Sequence, residues 1–331
     1  VLLDARGAVL RPAILWNDQR TEVQCEEIHR RVGRERFVQI TGNAALTGFT
    51  APKILWVRRH EPEIFARAAH LLLPKDYVRL KLGSARATDA ADASGTLYFD
   101  VAHRRWSADM LRDLGIAPSQ VPACHESPDV VDRLSDAAAR AMGLRAGIPM
   151  VAGAGDQAAN AVGCGIVAPG AVAANLGTSG VIFAASDRFR RSPDGALHAF
   201  CHALPGRWHL MSVMLSAAGS LRWFRDTLAR DASARAAAEG LGTYELLDRE
   251  AAHVTPGCDG LRFLPTLSGE RCPYPDPAAR GAFTGIALSH TPAHFTRAVM
   301  EGVAASMGLC MQLIRDAGIE PTQVIASGGG F

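Results

Sequence analysis

No charged residue occurs between Asp156 and Asp187, and this narrows what residues 148–180 can become. The segment reads IPMVAGAGDQAANAVGCGIVAPGAVAANLGTSG. A charge-free run of this length could cross a membrane only as an unbroken helix, and Gly163, Gly165, Pro169, Gly170, Gly177 and Gly180 would interrupt it repeatedly. Short buried elements joined by glycine turns remain. The pattern predicts a strand over 148–152, a turn at 153–155, a short helix from Asp156, a strand over 171–175, a second glycine turn at 177–180 and a third strand over 181–184.

Within that run Gly153-x-Gly155-x-x-Ala158 imitates the dinucleotide-binding fingerprint, which also needs an acidic residue about 20 positions later to hold a ribose. Asn175 and Gly177 stand there instead. Two readings of Asp156 stay open from the residues alone. One makes it a helix cap beside closely packed glycines. The other makes it a base next to a loop whose free backbone N–H groups can cradle phosphate.

At 331 residues the chain is long enough for two domains, and the pattern changes across 165–170, which puts a boundary at 168–170. The charges, net +2, are interspersed, so no basic patch points to nucleic acid or an anionic membrane. Seven scattered cysteines without a CxxC pair argue against a disulfide framework or a structural zinc site and fit a reducing cytoplasm. Both ends read as cut, since Val1 opens in mid-strand and Gly328-Gly329-Gly330-Phe331 stops in a turn.

In chain order, residues 1–10 predict a hairpin, and 13–16 a short strand ending in Trp16-Asn17-Asp18. That ending offers an aromatic face and polar groups to a sugar, or else a core Trp and a helix-capping Asp18. Helices are expected over 21–32, 50–60, 62–69, 76–82, 106–115 and 135–142, with 88–96 (TDAADASGT) as a polar loop. After the boundary come a hairpin, a helical region over 212–230 containing Gly219, a Pro-rich loop and a long helix from Thr291 to Ala317. That helix carries an apolar stripe at Phe295, Val299, Val303, Met307, Cys310, Met311 and Leu313, which predicts a buried packing helix. A last strand over 323–326 leads into the third glycine turn.

No GxxxxGK[ST] loop is present, yet glycine turns follow strands at 153–155, 177–180 and 328–330. Phosphoryl transfer asks chiefly for positioning, electrostatics and a carboxylate to receive a hydroxyl proton. No second acid lies near Asp156 in sequence, as glycoside hydrolysis would need.

Against that background two long motifs stand out. Residues 48–60, GFTAPKILWVRRH, and residues 281–286, GAFTGI, followed after seven residues by HFTRAVME at 294–301, fit in order the two signatures of the FGGY carbohydrate kinases. The chain resembles that family over nearly its whole length. WND at 16–18, DASGT at 92–96 and LSGER at 267–271 are similar to its xylulose-phosphorylating branch.

The resemblance implies an α/β actin-like ATPase (ribonuclease H-like) fold of two domains. Residues 1–168 would belong to the sugar-binding domain and 169–331 to the nucleotide-binding domain. It implies ATP-dependent phosphorylation of D-xylulose to D-xylulose 5-phosphate, with ATP and Mg²⁺ as cofactors, in a cytoplasmic protein that can form a homodimer. The alternatives are another substrate of the family (ribulose, gluconate, glycerol or a deoxyketose) or a non-catalytic sugar- or nucleotide-binding fragment. It further implies that Asp156 is the general base and that Gln157, where many relatives carry Asn, contacts the sugar together with Trp16, Asn17 and Asp18. Gly177, Thr178, Gly219, Gly329 and Gly330 would approach the nucleotide. The metal-binding DxGT loop and a sugar-contacting Met-His pair of the family would precede Val1, and the rest of the nucleotide domain would come after Phe331. The resemblance therefore implies an internal portion of a kinase, with little activity of its own.

Overall fold

The computed structural model describes residues 1–330. The chain separates into two compact units: Val1–Pro169 with Ala185–Leu210, and Gly170–Ala184 with everything from Met211 onward. Residues 185–210 thus return to the first unit, a detour that the linear boundary at 168–170 does not contain.

In the first unit, helices Glu22–Val32, Arg34–Thr41, Thr50–His60 and Ala108–Leu114 bury Ile28, Phe37, Leu55, Met110 and Leu114 in a common core. The expected inner face of the third helix, Ile54, Leu55 and Val57, is buried. Gly42 ends the second helix in the left-handed conformation (φ 71°), where a side chain would be strained and a Cβ would lie 2.9 Å from the Ala199 carbonyl oxygen. Asn43 beyond it donates to the Thr41 and Ala199 carbonyls, both at 2.9 Å, and so ties the helix end to the returning segment.

The hairpin expected over residues 1–10 forms: Leu3 bridges to Val9, Asp4 N–H donates to Ala8 O and Leu10 N–H to Leu2 O, each at 3.0 Å. On its other edge Leu2–Leu3 pairs antiparallel with His70–Leu71, and Leu2, Leu3 and Leu71 are buried. Two expectations are corrected here. Residues 13–16 form no strand. The polar stretch 88–96 is not a surface loop. Strand Ala87–Asp89, helix Ala90–Ala93 and a 3-10 turn at Ser94–Thr96 are largely buried, because the three alanines pack inward and Asp89 caps its own helix by accepting from the Asp92 N–H.

The second unit is built on strand Ala171–Leu176. It pairs antiparallel with the strand Gly180–Ser186 and parallel with Gln323–Ser327. Strand Trp208–Met214 lies on the far side of Gly180–Ser186. The helix expected over 212–230 therefore begins only at Ala218, and Ser212 belongs to a strand whose side chains alternate in burial. Helix Pro292–Asp316 packs on strand Arg262–Leu264 around Phe224, Leu247, Phe263 and Val299. Its stripe is only partly covered: Val299, Val303 and Cys310 are buried, whereas Met307 and Met311 face a groove. No described helix is long and apolar enough to cross a membrane.

Candidate active site

Asp156 owes its place to the strand–turn–helix run in the first unit. Strand Pro149–Val151 pairs with Val130–Arg133, and the Ala152 carbonyl accepts a bond from the buried Arg79 guanidinium. The chain then turns through Gly153, whose φ of 87° suits glycine and whose N–H donates to Ser127 O at 3.1 Å. Gly155 occupies the N-cap, which makes Asp156 the first residue of the helix Asp156–Gly163. One carboxylate oxygen of Asp156 accepts from its neighbour's backbone, Gln157 N–H to Oδ1 at 2.8 Å. The other meets only the Gln157 side-chain amide, at 3.5 Å. Both side chains are exposed, so the outer oxygen is accessible to a ligand hydroxyl.

A buried charge network lies beneath this turn. Lys75 places Nζ 2.6 Å from Asp76 Oδ1, 2.6 Å from Asp89 Oδ2 and 3.6 Å from Asp92 Oδ2. A Cβ on Gly155 would lie 3.4 Å from Asp92 Oδ1, so the acid touches the residue before Asp156. Burial works against the Lys75 ammonium, but the three carboxylates outweigh it and raise its pKa. Burial pushes Asp92 up to about 6 against the pull of Lys75, with Asp89 and Asp76 adding to the rise. Lys75 is invisible to sequence reasoning. The only signal available there is the acid-bearing run at 88–96, which reads as surface.

The other candidate sugar contacts lie on the loop before helix Glu22–Val32. Trp16 is 71% exposed. Asn17 contributes its backbone carbonyl to Gln19 Nε2, at 3.1 Å. Asp18 is engaged by Arg20, with Nε to Oδ1 at 2.9 Å and Nη2 to Oδ2 at 2.7 Å, and the guanidinium of Arg20 lies 5.0 Å from the centre of the Trp56 ring. The open ring is therefore available for stacking, while the Asp18 carboxylate is already committed. Among the described residues no hydrogen bond joins Trp16, Asn17 or Asp18 to Asp156 or Gln157.

In the second unit the expected glycines do come together, at the end of strand Ala171–Leu176. The N–H groups of Ala217 and Gly219 donate to Thr178 O at 2.9 and 3.2 Å, and that of Ala218 to Gly177 O at 2.9 Å. The first turn of helix Ala218–Thr227 is thereby fastened to the 177–180 loop. Gly219 is required there because a Cβ would sit 2.8 Å from Thr178 O. From the other side Gly330 N–H donates to Leu176 O at 2.9 Å, and the neighbouring Gly329 faces open space. Among the described residues the N–H groups of Thr178 and Ser179 meet no protein acceptor, and unpaired main-chain N–H groups in such a turn can accept an anion. Beside this point opens a mostly apolar groove of about 550 Å³, lined by Leu176, Ile182, Leu221, Val303, Met307 and Gly330 among others.

Family models decide what this combination belongs to. Residues 1–163 match the N-terminal domain, and residues 172–331 the C-terminal domain, of the FGGY family of carbohydrate kinases. The chain belongs to the FGGY family. Among its relatives this FGGY chain is 46% identical over 329 residues to the xylulose kinase of Escherichia coli K12, an alignment covering 99% of the chain and 65% of the relative. It is 39% identical to the xylulose kinase of Bacillus subtilis, with 100% and 64% covered. The crystal structure of xylulose kinase from Rhodospirillum rubrum superposes with a TM-score of 0.92 at 35% identity, covering 100% of this chain and 65% of that one. The chain thus spans just under two thirds of the length of the curated relatives it matches. Solved relatives also include a glycerol kinase at 23% identity and a TM-score of 0.85, which speaks for the common actin-like ATPase fold of the family.

Proposed function

We propose that this chain is the part of an ATP-dependent xylulose kinase that carries the catalytic base and part of the nucleotide site. Asp156 takes the proton of the C5 hydroxyl of D-xylulose as that oxygen attacks the γ-phosphorus of ATP. The bond from the γ-phosphorus to the bridging oxygen breaks, giving D-xylulose 5-phosphate and ADP. Gln157 and Trp16 contact the sugar, with Asn17 and Asp18 shaping the adjoining loop. Gly177 and Thr178 face the phosphates, with Gly219 permitting their close approach and Gly329 and Gly330 flanking the adenosine. The first unit is assigned to the sugar and the second to the nucleotide. The observation that carries this reading is the exposed Asp156 carboxylate, held by one backbone N–H with its second oxygen left accessible. The choice of xylulose is supported by the xylulose kinases at 46% and 39% identity. Mg²⁺ accompanies ATP in this proposal. Among the described residues no group of three His, Cys, Asp or Glu could hold a metal ion, so no step is routed through it.

The test is Asp156→Ala in the full-length gene product. Turnover should fall by about 10²–10⁴ while the dissociation constants for sugar and ATP stay within about threefold. Near-normal turnover rules out the base. Steady-state comparison of D-xylulose with ribulose, gluconate and glycerol decides the substrate. A higher kcat/KM for any of the other three replaces xylulose by that sugar or polyol. In this proposal the enzyme is cytoplasmic and can form a homodimer, and light scattering tests the dimer.

A further inference from the structure

Glu270 is a carboxylate in the wrong place for an ordinary surface acid. It is only 5% exposed, and among the described residues it forms no ion pair. Burial pushes its pKa up, against the backbone N–H bonds from Arg271 and Leu215 and the more distant Arg271 charge. Burying a carboxylate without a cation is costly unless its oxygens are hydrogen-bonded. Here one oxygen is, by main chain only: Oε1 accepts from Leu215 N–H and from Arg271 N–H, each at 2.8 Å.

Leu215 is the first residue past the end of strand Trp208–Met214, and that position gives its bond to Glu270 a wider effect. Next in the chain are Ser216 and then Ala217, Ala218 and Gly219, whose N–H groups grip the 177–180 loop. Around Glu270 the chain is itself pinned. Glu270 and Asp276 exchange backbone bonds at 2.8 and 2.9 Å, and Cys272 N–H donates to Val213 O at 3.1 Å. Ser268 and Ser216 share a hydroxyl–hydroxyl bond of 3.2 Å. Gly269, at a φ of 82°, lies so close to Pro277 that a Cβ would meet its carbonyl oxygen at 2.8 Å. Glu270 thus links a rigid loop to the turn that holds Thr178.

We infer that Glu270 is a positioning residue for nucleotide binding: its carboxylate fixes the 215–219 turn, and through it the placement of the Thr178 loop that faces the phosphates. The inference rests on the proposed nucleotide role of that loop. It acts through contiguous hydrogen bonds, each of which can be cut.

The experiment compares the full-length protein with Glu270→Ala and Glu270→Gln, by hydrogen exchange and by calorimetric titration with ATP and with D-xylulose. Glu270→Ala leaves the Leu215 and Arg271 N–H groups without their acceptor. Exchange at Leu215, Ala217, Ala218 and Gly219 should quicken by about tenfold or more, with strand Gln323–Ser327 unchanged. Affinity for ATP should fall by about tenfold or more while that for D-xylulose is retained. Glu270→Gln keeps the accepting oxygen and should bind ATP within about threefold of the parent. Should the alanine variant not fold, the glutamine variant still decides: folded but binding ATP more than about tenfold weaker, it overturns the acceptor role. Unchanged ATP affinity in Glu270→Ala, or exchange that quickens evenly across the second unit, overturns the positioning role and leaves a brace for stability alone. If the parent itself fails to bind ATP, the nucleotide reading falls first and this inference with it.

Discussion

Asp92 offers the sharpest test of the network beneath the Asp156 turn, because two opposing effects make different predictions about the sign. If the attraction of Lys75 dominates, removing the Asp92 charge destabilises the protein. If desolvation and the neighbouring acids dominate, removing it stabilises. The distances favour the second outcome: Asp92 lies 3.6 Å from the ammonium, whereas Asp76 and Asp89 sit at 2.6 Å and take most of its field. Its pKa accordingly rises from 3.8 to about 6. That rise is worth about 3 kcal/mol as an upper bound, at about 1.36 kcal/mol per pH unit. With the side chain 30% exposed, solvent screening brings it to about 1–2 kcal/mol.

The pH dependence is a matter of linkage. The folded pKa lies above the unfolded one, so the fold bears the full cost above about pH 6 and none below about 3.8, where both states are protonated. Asp92→Asn should therefore stabilise the protein by about 1–2 kcal/mol at pH 8, with the gain shrinking as the pH falls through 6 and nearly gone at pH 4. Urea unfolding of parent and variant at matched pH, monitored by tryptophan fluorescence, reads this group together with its coupling to Lys75, Asp76 and Asp89, while distant groups cancel in the pairwise difference. A variant less stable than the parent at pH 8, or one with an equal gain at pH 4, refutes the reasoning.

Two further outcomes test neighbouring parts of the molecule. Lys75→Met strands Asp89 and leaves Asp76 with Arg79 alone, which should cost about 3–5 kcal/mol, read as a lowered urea midpoint at pH 7.5; a loss under about 1 kcal/mol sinks the picture of a dominant ammonium. Gly219→Ala gains up to about 1 kcal/mol of helix propensity, but it drives a Cβ to within 2.8 Å of Thr178 O, an overpacking worth about 1–3 kcal/mol. The strain falls on the proposed phosphate loop, so ATP titration should show weaker binding by about tenfold, and tighter binding would contradict the assignment.

The parts of the site legible from sequence are those whose chemistry is local. The glycines of the 153–155 turn and the acid after them occupy consecutive positions, and the strand–turn–helix they specify is formed by neighbours in the chain. The glycine turns of the second unit are legible for the same reason, although only the fold brings them to one strand end. The Lys75 network is assembled from 75–76, 89–92 and 152–155, and no spacing rule connects those segments. The same network explains why 88–96 misleads: a run bearing two aspartates reads as surface until a lysine from elsewhere neutralises them. Strand Trp208–Met214 escapes a sequence reading in part because its apolar residues cluster without alternating cleanly. Its period of two shows chiefly in burial, where Ser212 turns inward. Glu270 is visible in the sequence as a motif letter, but the role inferred for it depends on the amide of Leu215, which lies 55 positions away.

The groove beside Gly330 has a consequence for how this chain behaves in solution. Leu176, Ile182, Val303, Met307 and Met311 line about 550 Å³ of mostly apolar space. Methionines at such a rim adapt readily to whatever apolar surface meets them. In colloidal terms the 331 residues present an adhesive strip on an otherwise charge-studded particle of net charge +2, too little to keep copies apart by repulsion. Handled alone, such a chain is expected to bind hydrophobic dyes while fully folded and to lose monomer as salt is raised, so dye binding would misreport its folded state as a molten one.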